Sequence, residues 1–179
     1  MAKIKGKTIY DYKKFIEENC SKDQKDLIFD KCCLEETKKL KSTSVISGNW
    51  YDVEIYKDLI KAFCEVCPGR LEEVGEFLVN RQIPGIFGVL TRFWSLDRLL
   101  DGADRNWKRY YTDSEIVIEK PSENHYDVKI KGIDFSDELL ELTMIYMRKM
   151  VEKATRKKVF GKTVSKKNDF SEIEFKIVG

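Results

Sequence analysis

The sequence predicts an α+β domain: a helical layer over about residues 1–111, followed by a ββαββ antiparallel sheet unit over about 112–179. Apolar residues recur at helical spacing through the first two thirds of the chain. In the last third they alternate instead, in "EIVIEK", "HYDVKIKG" and "FSEIEFKI". No stretch rich in Gly, Pro or Ser divides the 179 residues, of which 42% are hydrophobic, so a single domain with a sizeable core is expected.

Gly6 reads as the turn before a first helix over 7–19, whose stripe is Ile9, Tyr12, Phe15 and Ile16. A second helix over 54–67 carries Ile55, Leu59, Ile60, Phe63, Cys64 and Cys67 on one face and stops at Pro68-Gly69. A third segment presents Leu71, Val74, Phe77 and Leu78. After Pro84-Gly85, Ile86, Val89, Leu90 and Phe93 continue the pattern, and a fifth stretch runs from Leu96 to about Tyr111. Two short strands follow, parted by Pro121, Ser122, Glu123 and Asn124; the second alternates Tyr126, Val128 and Ile130. Ser136 is placed to cap a long helix through Leu139, Leu142, Ile145, Tyr146, Met150 and Ala154. A last strand carries Phe170, Ile173, Phe175 and Ile177 and pairs with Lys158 to Val164, with Gly161 as a bend or bulge.

Lys and Arg number 33 against 31 Asp and Glu, a net charge of +2, and the two signs are interspersed. Such a surface draws neither nucleic acid nor anionic lipid, and the basic concentration from Arg148 to Lys167 reads as a solvated face. The opening "MAKIKGKTIYDYKKF" lacks the apolar region of a signal peptide, and no run of about 18 apolar residues exists to span a bilayer. A cytoplasmic protein is expected, without membrane insertion, its five cysteines reduced; an odd count argues against a disulfide framework.

Cys64-x-x-Cys67 has the spacing of half a zinc site, but Cys20, Cys32 and Cys33 supply no second matched pair, and His125 is the only histidine. A redox pair belongs at a helix N-terminus, whereas these cysteines end a helix on the same face as Phe63 and Ile60. They read as small apolar core residues, with thiols touching a ligand as the alternative. Gly6-Lys7-Thr8 and Gly161-Lys162-Thr163 lack the earlier glycine that a phosphate loop needs. A histidine nucleophile relay would have to use His125, which reads as a solvated turn residue, and no carboxylate pair stands out, so no catalytic set emerges. The richest stretch is 87–111, with Phe87, Phe93, Trp94, Trp107, Tyr110 and Tyr111: an aromatic core where helices meet the sheet, or the lining of a cavity. The candidate pocket residues are Phe87, Phe93, Trp94, Trp107, Tyr110, Tyr126, Cys64 and Cys67.

The order of elements, with "SLDRLL…NWKRYY" before a hairpin, a long helix and the closing "SEIEFKI", resembles the superfamily of the haem-nitric-oxide-binding (H-NOX) domains. That superfamily also holds the 4-vinyl-reductase-type domains, the TRAPP Golgi-transport subunits and a bacterial group that shares Trp-x-x-Tyr-Tyr, here Trp107, Tyr110 and Tyr111. The resemblance implies a pocket between the helical layer and the sheet. Haem-binding members use a helix histidine and a Tyr-x-Ser-x-Arg motif; this chain has no histidine in its predicted helices, and Tyr126-Asp127-Val128-Lys129-Ile130 lacks the Ser and the Arg. The region "GKTVSKKNDFSEIEF" likewise lacks the cysteines that 4-vinyl-reductase-type domains often carry there. The expectation is therefore a non-enzymatic bacterial ligand-binding or sensory domain, with no metal or haem cofactor, that takes a small apolar or aromatic molecule. A signalling protein or a second copy would be its partner. The alternative is an adaptor or homodimer module that has lost the pocket.

Overall fold

The computed structural model describes residues 2–82, 102–167 and 169–178. The expected α+β order is present. Helices α1 (Gly6–Asn19), α2 (Lys22–Lys31), α3 (Glu35–Lys39), α4 (Val53–Val66), α5 (Leu71–Gln82) and α6 (Ala103–Trp107) precede a sheet that is crossed by α7 (Asp137–Thr155). Strands β3 (Glu115–Ser122), β4 (His125–Lys131), β5 (Lys158–Lys167) and β6 (Phe170–Val178) form an antiparallel sheet in the order β3-β4-β6-β5. A second, two-stranded sheet joins β1 (Lys3–Lys5) to β2 (Trp50–Asp52), with Ile4 opposite Tyr51.

Local chemistry fixes the helix ends. Ser21 and Gln24 form a reciprocal capping box at the start of α2, and the Asp52 side chain accepts the Glu54 N–H at the start of α4. Ser136 caps α7 by accepting the Leu139 N–H, as its place in the sequence predicts. Arg156 closes the same helix with φ 59°, and Gly69 leaves α4 with φ 77°, the left-handed turn that glycine makes without strain.

The sheet has two chemically distinct faces. Tyr126, Val128 and Ile130 of β4 alternate into the interior with Ile173, Phe175 and Ile177 of β6, while His125, Asp127, Lys129, Glu174 and Lys176 alternate outward. Helix α7 lies against α5 and α4 on one side and β5 and β6 on the other. Gly75 permits its close approach to α5, because Ile145 occupies the space where a Cβ would stand. Gly161 does the same in β5, where Phe175 and Met144 fill the position; the register shift lies between Thr163 and Ser165, beyond the glycine. Gly6 is not a turn before α1. It is the first residue of the helix, pressed against the Ile46 carbonyl and the Tyr51 ring.

Candidate functional site

A cavity of about 200 Å³ lies between α7 and the inward face of the sheet, bordered by α5, α6 and the turn after α6. An apolar cavity of roughly 150 Å³ accepts benzene, so this one has room for a single aromatic ring with a small substituent. Helix α7 contributes Leu139, Leu142, Thr143, Tyr146, Met147 and Met150; the strands contribute Ile116, Ile118, Tyr126, Val128, Phe175 and Ile177. Thr8, Tyr56, Gln82, Asn106, Trp107, Tyr110 and Tyr111 face it from the helical layer and the turn. Among the described residues the lining includes no Asp, Glu, Lys, Arg, His or Cys.

The aromatic wall is anchored by its own hydrogen bonds. Trp107 stacks on Tyr111 at 4.3 Å between ring centroids and donates its Nε1–H to Ser114 Oγ at 2.7 Å. Tyr126 donates to the Glu123 carbonyl at 3.3 Å, and Thr143 to the Leu139 carbonyl at 2.7 Å. Tyr146 donates to Gln82 Oε1 at 2.8 Å, and Gln82 Nε2 reaches Asp11 Oδ2 at 3.3 Å. Burial, first of all, pushes the hydroxyls of Tyr56, Tyr110, Tyr111 and Tyr146 above their ordinary range, and the charge of Asp11 adds to this for Tyr56, Tyr110 and Tyr146. These tyrosines are neutral phenols at physiological pH.

Of the residues proposed from the sequence, Trp107, Tyr110 and Tyr126 meet around this cavity. Phe87, Phe93 and Trp94 lie outside the described residues. Cys64 and Cys67 are elsewhere: Cys67 is buried at the C-cap of α4, near Cys20 and Arg70, and Cys64 is half-buried, its thiol pushed up to about 12 by burial and by Glu138 and Glu141. The stripe that carries them packs Phe63 on Tyr12 and Phe15 of α1 and brings Cys64 near Glu138 and Glu141 at the start of α7, outside the cavity lining; helical period alone does not say which neighbour a stripe meets. Thr8, Gln82 and Tyr146 were not among the expected site residues. Tyr146 read as one more position on the stripe of α7, and only its neighbours in space reveal its polar role.

Haem, the group that the resemblance brings with it, does not fit these residues. The single histidine, His125, opens β4 and points away from the cavity, its Nε2 2.8 Å from Glu174 Oε1 of β6 on the outward face of the sheet, whereas the sequence reads it as a solvated turn residue. A tyrosinate can hold haem iron, but burial keeps the lining tyrosines protonated and no lining cation among the described residues opposes it. Among the described lining residues there is likewise no cation to pair with haem carboxylates, and burying bare charge against them is costly. No group of three or more His, Cys, Asp or Glu side chains among the described residues is placed to hold a metal ion.

No protein-family model and no curated protein matches the chain. Solved structures do. An Fe(II) unliganded H-NOX protein from K. algicida superposes with a TM-score of 0.72 over 98% of this chain and 97% of that one, at 12% identity. An oxygen-binding H-NOX domain related to soluble guanylate cyclases gives a TM-score of 0.64 over 98% and 96%, at 9% identity. At such identities the likeness speaks of architecture alone, and the architecture is that of the H-NOX domains.

Proposed function

We propose that the protein is a ligand-binding sensory domain that takes a small, neutral aromatic or apolar molecule in the cavity under α7 and works without haem. One observation carries this reading: an H-NOX fold whose 200 Å³ cavity is lined, among the described residues, by neutral side chains only. Burial of one uncharged ring there removes apolar surface from water and leaves no ion unpaired among the described lining residues. The setting proposed with it is a bacterial cytoplasm, in keeping with five free cysteines and with the absence, among the described residues, of any helix long and apolar enough to cross a membrane.

A protein partner is the second reading, and it also has an observation behind it. Phe160, Val164 and Val178 stand exposed on or beside β5, which is an edge strand among the described residues. A sensory domain would transmit through such a patch, as a homodimer or to a signalling protein.

The test is titration of the purified protein with toluene, followed by thermal denaturation and native mass spectrometry, with haem as the parallel titrant. Saturable toluene binding with a raised Tm and no stoichiometric haem complex is expected. A one-to-one haem complex with a sharp Soret band, or failure of toluene to bind, overturns the reading.

A further inference from the structure

Asp11 is fully buried. Its carboxylate is held by Lys7 Nζ at 2.5 and 2.6 Å, by Arg81 Nε at 3.4 Å and by Gln82 Nε2 at 3.3 Å. A carboxylate only accepts hydrogen bonds, so Gln82 must turn its NH₂ toward Asp11 and its carbonyl away. That carbonyl meets Tyr146 Oη at 2.8 Å, and since an amide oxygen also only accepts, the Tyr146 proton is committed to Gln82. What Tyr146 has left for the cavity is an oxygen lone pair.

The direction of the relay is thus fixed from its far end by a buried charge. Of the other lining donors, those of Trp107, Tyr126 and Thr143 are spent on Ser114, Glu123 and Leu139, while Thr8, Tyr56, Asn106, Tyr110 and Tyr111 carry hydroxyl and amide groups that can both donate and accept, so Tyr146 is the position with a fixed direction. A carboxylated ring would bury its charge against a described wall without a cation.

We propose that Gln82, oriented by Asp11, makes Tyr146 a hydrogen-bond acceptor, and that the cavity selects neutral aromatic molecules bearing an O–H or N–H donor, of the phenol or indole kind. The selection rests on the cavity being the ligand site. Lys7 and Arg81, both partly exposed, pair with the Asp11 carboxylate and so hold the direction of the relay.

Calorimetric titration with toluene, anisole, phenol and benzoate tests it on the full chain. Phenol is expected to bind about three to ten times more tightly than anisole, the worth of one good hydrogen bond, with benzoate weakest. In Tyr146→Phe the preference of phenol over anisole should fall to near unity while toluene binding persists, which shows that the cavity survives. In Gln82→Leu the Tyr146 proton is released, and an acceptor-only probe such as benzaldehyde should gain several-fold over its wild-type affinity. Equal binding of phenol and anisole by the wild type, or a phenol preference that survives Tyr146→Phe, overturns the donor selection and leaves the cavity reading standing, whereas preferred benzoate binding or failure of toluene to bind overturns both.

Discussion

In the helical layer the aromatic rings fill one another's gaps. Tyr12 meets Tyr56 and Phe63 edge to face at 5.5 and 5.8 Å, and Phe15 meets Phe63 and Phe77 at 5.8 and 5.3 Å. Tyr12, Phe15, Tyr56 and Phe63 are almost wholly hidden from solvent. Under α7, by contrast, Trp107 stacks flat on Tyr111 while Tyr126 and Tyr146 border open space. The residue types are the same, and the difference lies in how near their elements come. Where Gly75 lets α7 settle on α5, and Gly161 lets Met144 settle on β5, the packing closes, whereas Tyr146, Met147 and Met150 line open space together with Tyr126 and Phe175 of the sheet. Aromatic content therefore does not distinguish a core from a pocket; the spacing of the backbones behind it does.

The largest effect that can break this comparison is truncation of a large apolar side chain in each region. Phe63→Ala should destabilise by about 3–5 kcal/mol, because its fully enclosed site cannot collapse. Met150→Ala, beside space that is already open, should cost no more than about 1 kcal/mol. Urea unfolding midpoints at constant slope measure both, and equal losses would mean that the cavity wall is as tightly packed as the helical core.

Added volume should act in the opposite sense in the two places. Gly75→Ala drives a methyl into Ile145 and is expected to cost about 1–3 kcal/mol. Ala103→Leu adds bulk at the cavity wall, where it should be neutral or stabilising by up to about 1 kcal/mol while weakening toluene binding. Thermal unfolding with and without toluene reads both consequences. A destabilised Ala103→Leu protein with unchanged toluene affinity would show the side chain turning away from the space.

One substitution should even change sign between the regions. The Tyr12 hydroxyl is buried with no partner among the described residues, so Tyr12→Phe removes an unmet polar group and should stabilise by about 1 kcal/mol. Tyr146→Phe instead strands Gln82 Oε1 and should destabilise by a similar amount. Chemical denaturation of the two variants side by side decides it; a loss of stability in both would place a partner on Tyr12.

Much of the framework was legible in the sequence because it is local. The stripe of α4, the Ser136 cap and the alternation of Tyr126, Val128 and Ile130 each lie within one element and carry its period. The pairing of β1 with β2 was not legible, since three-residue strands 45 or more positions apart show no period. Nor was α2, whose short apolar face is only Ile28 and Phe29. The relay from Asp11 through Gln82 to Tyr146 joins three helices across separations of 71 and 64 residues, and each of its members reads alone as an ordinary helical position. Cys64 and Cys67 read as core residues of α4, and there they lie, but the period fixed their face without naming what the face would meet.

The smallest effect concerns the outward side of the sheet whose inward side walls the cavity. Glu174 sits among Lys162 at 2.6 Å, Lys176 at 3.1 Å and His125 at 2.8 Å. Hydrogen bonds from Lys162 and Lys176 hold its carboxyl down at about 2, against an ordinary 4.5. A depressed carboxyl binds fewer protons in the folded state than in the unfolded one, so its contribution is complete above about pH 4.5 and drains away as the pH falls toward 2. The side chain is in contact with water, which screens these pairs, and added salt should shrink the contribution further. The unfolding midpoints of the wild type and Glu174→Gln should accordingly differ at pH 6 and converge near pH 2, whereas the Phe63→Ala penalty, being one of apolar packing, should stay constant across the same range. A Glu174→Gln difference that persists undiminished at pH 2 would mean that this residue acts through packing, as the helical core does, and would erase the distinction between a sheet held by charge on its outer face and a helical layer held by interlocked rings.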